Sequence, residues 1–292
     1  MRSGAIRARS AFLWALALCV NPAAASITLK DDLGRQVEIA QPAKRIVTLA
    51  PFLTELAFSA GVGERVVGVS EHSDYPPEAR SRPAVASSVA VSLEQVAALA
   101  PDLVLAWRDT IGSADLERLA LLRIPVFVAQ ARSLGDVPRL LEAIGRLAGR
   151  DVAGVIAAYR ARLEAARALR AASPRIPVFL EIWHQPLTTI AGPHWMNEAL
   201  ELCGAHNAFA DLDGVAPVVS WELVYARDPQ AIVGAGSADA AAAFRERWKA
   251  RPTLAAVKHD RLVFINPDTI QRPTIRLADG VMELCEGLAR LK

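Results

Sequence analysis

Tryptophan, histidine, cysteine and two matching glutamates are the side chains with chemistry to offer in this chain. Trp107 ends the apolar run DLVLA, and Trp183 follows VFLEI at the comparable place in the second half. In an open α/β sheet, ligands lie in the crevice outside the carboxyl ends of the strands. Two indoles at such ends would line opposite walls of a cleft and bury a large, partly apolar ligand; the alternative is that each caps its own core. His72, in SEHSDYPP, also follows a strand-like run. His194 and Trp195 stand in GPHWMNEALELCG at a helix entrance, either in the cleft or stapling that helix, whereas Trp221 and Trp248 read as packing residues. The five histidines lack metal-ligand spacing, and GxSxG, Walker A and HExxH motifs are missing. Gly61-Val62-Gly63 follows a helix rather than a strand, the wrong order for a dinucleotide site. No basic stripe interleaved with aromatics suggests nucleic acid. The residues therefore predict binding without turnover: no catalytic residue, no resident metal and no cofactor.

The N-terminus predicts export. Arg2, Arg7 and Arg9 precede an apolar run from Ala11 to Val20, and Ala23-Ala24-Ala25 then offers a small-x-small cleavage site. Ten apolar residues span about 15 Å as a helix, roughly half a bilayer core. Cys19 raises lipidation, but bulky Leu18 before it disfavours that, so residues 1–25 are expected to be a cleaved signal peptide and the mature chain a soluble periplasmic protein. Formal charge is +2 for all 292 residues, and removing three arginines leaves 30 basic against 31 acidic side chains in 267 residues. Cysteines fall from three to two, and an oxidising compartment makes Cys203 and Cys285 candidates for a disulfide. With 52% apolar residues, the chain has ample surface for a packed core, which excludes low-complexity disorder.

Positioning these groups requires alternating strands and helices. Residues 27–39 alternate about Asp32-Leu33-Gly34-Arg35 as a β-hairpin. Strands are expected at 45–49, 66–69, 102–106 and 126–129, with helices at 51–60, 92–100 and 113–122. Ser92 and Gln95 suggest a capping box, and Pro101 a stop. Residues 135–172 are helix formers throughout, including about 22 residues from Asp151 with apolar positions at helical spacing. Strands at 176–182, 231–234 and 262–265 then alternate with helices at 195–203, 239–250 and 274–291. SLEQVAALAPDLVLA from Ser92 and SWELVYARDPQAIVGA from Ser220 share serine, glutamate, valine, proline and an apolar strand in register. Such a repeat implies two similar Rossmann-like α/β lobes with mostly parallel sheets, at 26–132 and 173–292, joined by a long helical connector at 133–172. Each lobe would then carry one acid, Glu94 or Glu222, in the first turn of an equivalent helix.

HSDYPPEA, LEQVAALAPDLVLAWR, the long central helix, LELCGAHNAFAD and VSWELVYARDPQAIV together resemble the helical-backbone periplasmic binding proteins, the solute-binding components of ABC importers for vitamin B12, ferric siderophores and haem. The likeness spans nearly the whole mature chain and is nearest to the vitamin B12-binding branch. It implies a monomer that holds a metal chelate between its lobes and delivers it to a permease and ATPase complex, with Glu94 and Glu222 docking on permease arginines. It also implies the Cys203–Cys285 disulfide. Of that branch's cleft aromatics it carries over Trp107; His72 and Ser88 stand at positions of others, and Trp183, Trp195 and His194 complete the expected ligand-binding set from other positions. The chain departs from that branch where aromatics are expected, having His72, Ser88 and Ala216 instead. Those departures leave a ferric siderophore or haem as the alternative to cobalamin. A His-liganded metal-ion binder and an exported enzyme are the remaining readings.

Overall fold

Apolar runs bounded by turn residues become strands, and the runs buried on both faces become the centres of two sheets. The computed structural model describes residues 26–87, 90–169 and 175–291. The expected signal peptide and Ser88 lie outside the described residues. The elements in chain order are β1 (Ile27–Lys30), β2 (Gln36–Ile39), β3 (Ile46–Thr48), α1 (Pro51–Ser59), β4 (Val66–Ser70), β5 (Ala84–Ala86), α2 (Leu93–Ala98), β6 (Leu103–Trp107), α3 (Ser113–Leu121), β7 (Val126–Ala129), α4 (Asp136–Ala148) and α5 (Ala153–Ala168). They continue as β8 (Ile176–Glu181), β9 (Trp183–His184), β10 (Leu187–Thr188), α6 (Trp195–Leu202), β11 (Ala205–Asn207), α7 (Trp221–Arg227), β12 (Ala231–Ala235), α8 (Ala240–Lys249), α9 (Ala255–Lys258), β13 (Leu262–Ile265), α10 (Pro267–Ile270) and α11 (Leu277–Ala289).

The N-terminal lobe holds a parallel sheet in the order β5-β4-β3-β6-β7, and the C-terminal lobe a parallel sheet in the order β11-β8-β12-β13. Both orders reverse direction once, between β3 and β6 in the first lobe and between β8 and β12 in the second. Those reversals are the topological switch points at which doubly wound sheets bind ligands. The two α/β lobes with parallel sheets are as expected. Sequence periodicity missed β5 and β11, which are three residues each, and the small β9–β10 ribbon. The hairpin forms as expected, β1 pairing antiparallel with β2. Asp31, 5% exposed, closes its turn by accepting the amides of Leu33 and Arg35 at 3.0 and 2.9 Å. The Asp32 amide then donates to the Val128 carbonyl at 2.9 Å, fastening the hairpin to edge strand β7.

The connector is two helices rather than one. Gly149, at φ +63° after α4, supplies the left-handed residue that ends a helix, and the Asp151 carboxylate then accepts the Ala153 amide at 2.9 Å to start α5. The repeat extends to the backbone: α2 and α7 are each followed by a left-handed residue just before proline, Ala100 at φ +43° and Asp228 at φ +39°. Ser220 accepts the Leu223 amide at 3.3 Å as an N-cap, whereas the Ser92 hydroxyl makes no cap bond, so the capping box expected at Ser92 does not form.

One central core contains residues of both lobes and the connector, among them Ile46, Leu56 and Leu105 from the first lobe, Leu140 from α4, and Leu180, Leu200 and Val281 from the second lobe. Each lobe has its own outer core besides, built around Val104 and Val128 in one and Phe179 and Trp248 in the other. A disulfide joins Cys203, after α6, to Cys285 on α11. Among the described residues, no helix is long and apolar enough to cross a membrane.

Candidate ligand-binding site

Trp107 is the last residue of β6, and Trp183 lies two residues beyond the end of β8. Each indole therefore stands at the carboxyl end of a strand that borders its lobe's switch point. Trp107 is half-buried and meets Phe52, the second residue of α1, edge to face at 5.6 Å. Trp183 is 60% exposed, and its Nε1–H donates to the Gln185 carbonyl at 2.9 Å. With its polar hydrogen already satisfied, the indole offers only an apolar face. Register places Trp183 opposite Thr188, and Thr188 bridges to Val218 on its other side, so the three share one face of a short ribbon. Val218 is 63% exposed, and that face is an apolar platform.

The other expected ligand residues are placed differently. His72 is exposed at φ +62°, two residues beyond β4, also at a carboxyl end. Trp195 and His194 are only 5% and 6% exposed and stack on each other at 3.8 Å. Trp195 donates Nε1–H to the Ile270 carbonyl at 2.9 Å, and His194 Nδ1 caps α6 by accepting the Met196 amide at 3.1 Å. Burial, reinforced by the Arg132 charge and only partly opposed by Asp109, pushes the His194 pKa down to about 4. Neither ring contacts that of Trp107 or Trp183. Trp248 is fully buried and meets Phe179 and Trp221 edge to face, while the Arg251 guanidinium lies 3.3 Å over the Trp221 ring. His184, His206 and His259 are scattered, and among the described residues no group of three or more His, Cys, Asp or Glu could hold a metal ion.

Sequence reading passed over two acids that the structure makes prominent. Glu55 is the one charged residue in PFLTELAFSA, and Glu181 the one in IPVFLEIW. A lone acid inside an apolar run needs a partner, and that was the available signal. Glu181, at the end of β8, accepts Trp248 Nε1–H at 2.6 Å and pairs with Arg247. Glu55 pairs with Arg272 and Arg276, which belong to the other lobe. Arg272 also bonds Asp74 at 2.8 Å. Burial raises the Asp74 carboxyl, but the hydrogen bond and charge of Arg272 outweigh it and hold the group below the usual carboxylate range. Asp74 follows β4 and Arg272 follows β13, so segments from the carboxyl ends of both sheets touch. Glu94 and Glu222 are exposed in the first turns of α2 and α7. Hydrogen bonds from backbone and from Ser220 hold the Glu222 carboxyl below its ordinary value.

Two doubly wound lobes meeting at their carboxyl ends define a bilobed solute-binding protein. The chain belongs to the periplasmic binding protein family, whose profile matches residues 46–269. It is 35% identical over 249 residues to the vitamin B12-binding protein of Vibrio cholerae serotype O1, covering 85% of this chain and 90% of the relative. The vitamin B12-binding protein of Pectobacterium carotovorum subsp. carotovorum is 36% identical, with 85% and 89% covered. The crystal structure of the periplasmic vitamin B12-binding protein of Vibrio cholerae superposes with a TM-score of 0.77 at 35% identity, over 86% of this chain and 98% of that one. The haem-binding protein BhuT, solved with two haems, shares the fold at 20% identity and a TM-score of 0.73, over 86% and 99%.

Proposed function

We propose that this protein is the periplasmic capture component of an ABC importer and that its ligand is cobalamin or a related corrinoid. The observation that carries the reading is the placement of Trp107 and Trp183 at switch-point strand ends of opposite lobes. A corrinoid is a broad, flat and partly apolar solute, and indole faces bury such surface with little need for charge. Relatives at about 35% identity named for vitamin B12 support the same choice. Residues 1–25 would direct export and be removed near Ala25.

Family members work with a permease and an ATPase. In our reading Glu94 and Glu222 make that contact, their exposed carboxylates meeting permease arginines in a salt-sensitive association. A ferric siderophore or haem is the second reading, favoured by the exposed His72 imidazole at a strand end where it can reach a metal centre. Titrations with cyanocobalamin, a ferric hydroxamate and haem, followed by tryptophan fluorescence, separate these readings. Quenching by cyanocobalamin at the lowest concentration is expected, and Trp183→Ala should weaken it; no quenching by any of the three would sink the proposal. Replacing both Glu94 and Glu222 with alanine should abolish uptake and leave ligand affinity intact.

A further inference from the structure

Glu55 lies on α1 with its side chain only 2% exposed, and among the described residues its ionic partners, Arg272 and Arg276, both come from the other lobe. A buried carboxylate is costly unless it is both paired and hydrogen-bonded. Arg276 meets it with a fork, donating Nε–H to Oε2 at 3.0 Å and Nη2–H to Oε1 at 2.8 Å. Arg272 donates from Nη1 to Oε1 at 3.0 Å and to Asp74 Oδ1 at 2.8 Å, with Asp268 3.5 Å from its Nη2. The Arg276 guanidinium also lies 3.7 Å from the centre of the Tyr75 ring. Glu55, Asp74 and Tyr75 thus clasp two arginines at the end of the stretch 266–276. That stretch leaves the carboxyl end of β13, the end of the sheet that faces the first lobe's Asp74.

We propose that Glu55 is a positioning residue: through Arg272 and Arg276 it holds the segment 266–276 against the N-terminal lobe and fixes the crevice width before any ligand arrives. Its carboxylate is shut away from the crevice, so it acts on the ligand only through the arginines. A preformed crevice spares the ligand the cost of ordering the lobes, and that saving appears mainly in slow dissociation. The effect on ligand rests on the capture function proposed above; the effect on the lobes does not.

The test reads the lobes first. Nitroxide labels on Glu117→Cys and Ala242→Cys, exposed positions in opposite lobes, report the interlobe distance in the ligand-free mature chain with its disulfide intact. A narrow distribution is expected, broadened and lengthened by Glu55→Gln and by Arg276→Met. Arg276→Lys, which keeps the charge but loses the fork, should recover part of the narrowing. Asp74→Asn removes only the outer arm at a side chain 47% exposed, so folding is not at stake, and it should broaden the distribution less. Unchanged distributions in folded Glu55→Gln and Arg276→Met would overturn the latch. If those two fail to fold, Asp74→Asn and Arg276→Lys decide it: an unchanged distribution in both overturns it as well. Cyanocobalamin should dissociate about tenfold faster from Glu55→Gln than from the parent. Equal dissociation rates alongside broadened distances would overturn the positioning role. A chain that binds none of the chelates fails the proposed function, and the ligand-free distances still decide the latch.

Discussion

The two lobes run the same helix–proline–strand path and trim it with different polar groups. In the C-terminal lobe, Ser220 caps α7, and the left-handed Asp228 turns its carboxylate to the Ala255 amide at 2.8 Å. In the N-terminal lobe, Ser92 makes no cap bond, and Ala100 holds the same left-handed position with no side chain to bond anything. The C-terminal lobe also has the disulfide, whereas the N-terminal lobe relies on Asp31 and Asp32 to fasten a hairpin across its sheet edge. The apolar strand and the proline therefore dictate the shared path. Stabilising polar detail is local to each lobe and is free to differ.

The largest expected effect tests the crosslink against the hairpin. Replacing Cys203 and Cys285 with serine should cost ~4 kcal/mol on the chain-entropy scale for a separation of 82 residues. Asp31→Ala, which removes the buried acceptor of the Leu33 and Arg35 amides in the other lobe, should cost about 2 kcal/mol. Denaturant unfolding measures both, and a greater loss from Asp31→Ala would invert the comparison.

The next effect concerns His194, a buried ring capping α6 where the N-terminal lobe's α1 begins at Ala50 with no side-chain cap. Its folded pKa of about 4 lies below the unfolded value near 6.5, so the unfolded state takes up the proton first as pH falls. Stability contributed by the neutral ring is complete above about pH 6.5 and is lost as pH falls towards 4, a difference of roughly 3 kcal/mol. His194→Asn keeps a capping acceptor without a titrating group and should flatten that part of the stability–pH curve. An unchanged slope in the variant would assign the acid sensitivity to carboxylates instead.

The smallest effect goes directly to the repeat. Ser220→Ala should cost about 1 kcal/mol and Ser92→Ala close to nothing, because only the first removes a formed cap. Equal costs in thermal unfolding would erase the difference between the two helices.

Much of this architecture was legible in the sequence because apolar strands, prolines and glycines act locally. The strands ending at Trp107 and Glu181, the stop after α1 and the repeated helix–strand unit all follow from patterns within about 15 residues. The pairing of Cys203 with Cys285 was legible too, once Cys19 was assigned to the expected signal peptide. What escaped depends on distant partners. Whether Trp195 faces a cleft or the core is decided by the Ile270 carbonyl, 75 positions away. The break at Gly149 hid among strong helix formers, and the role of Glu55 is set by arginines more than 200 residues further along. His72 and Trp183 follow β4 and β8, as the apolar runs before them predict, yet no local pattern tells how open each one is.

The central core has a consequence for the order of biosynthesis. Its N-terminal half, including Ile46, Leu56 and Leu140, is made before Leu180, Leu200 and Val281 exist. Until those arrive, the first lobe can complete its outer core and pack α4 over α1, but the shared core stays unfinished. A nascent chain in that state is a substrate for chaperones rather than a finished half-protein. The late helix α11, which packs against α5 and α6, carries Cys285 and brings Val281 and Leu284 into that core, is among the last pieces to complete it.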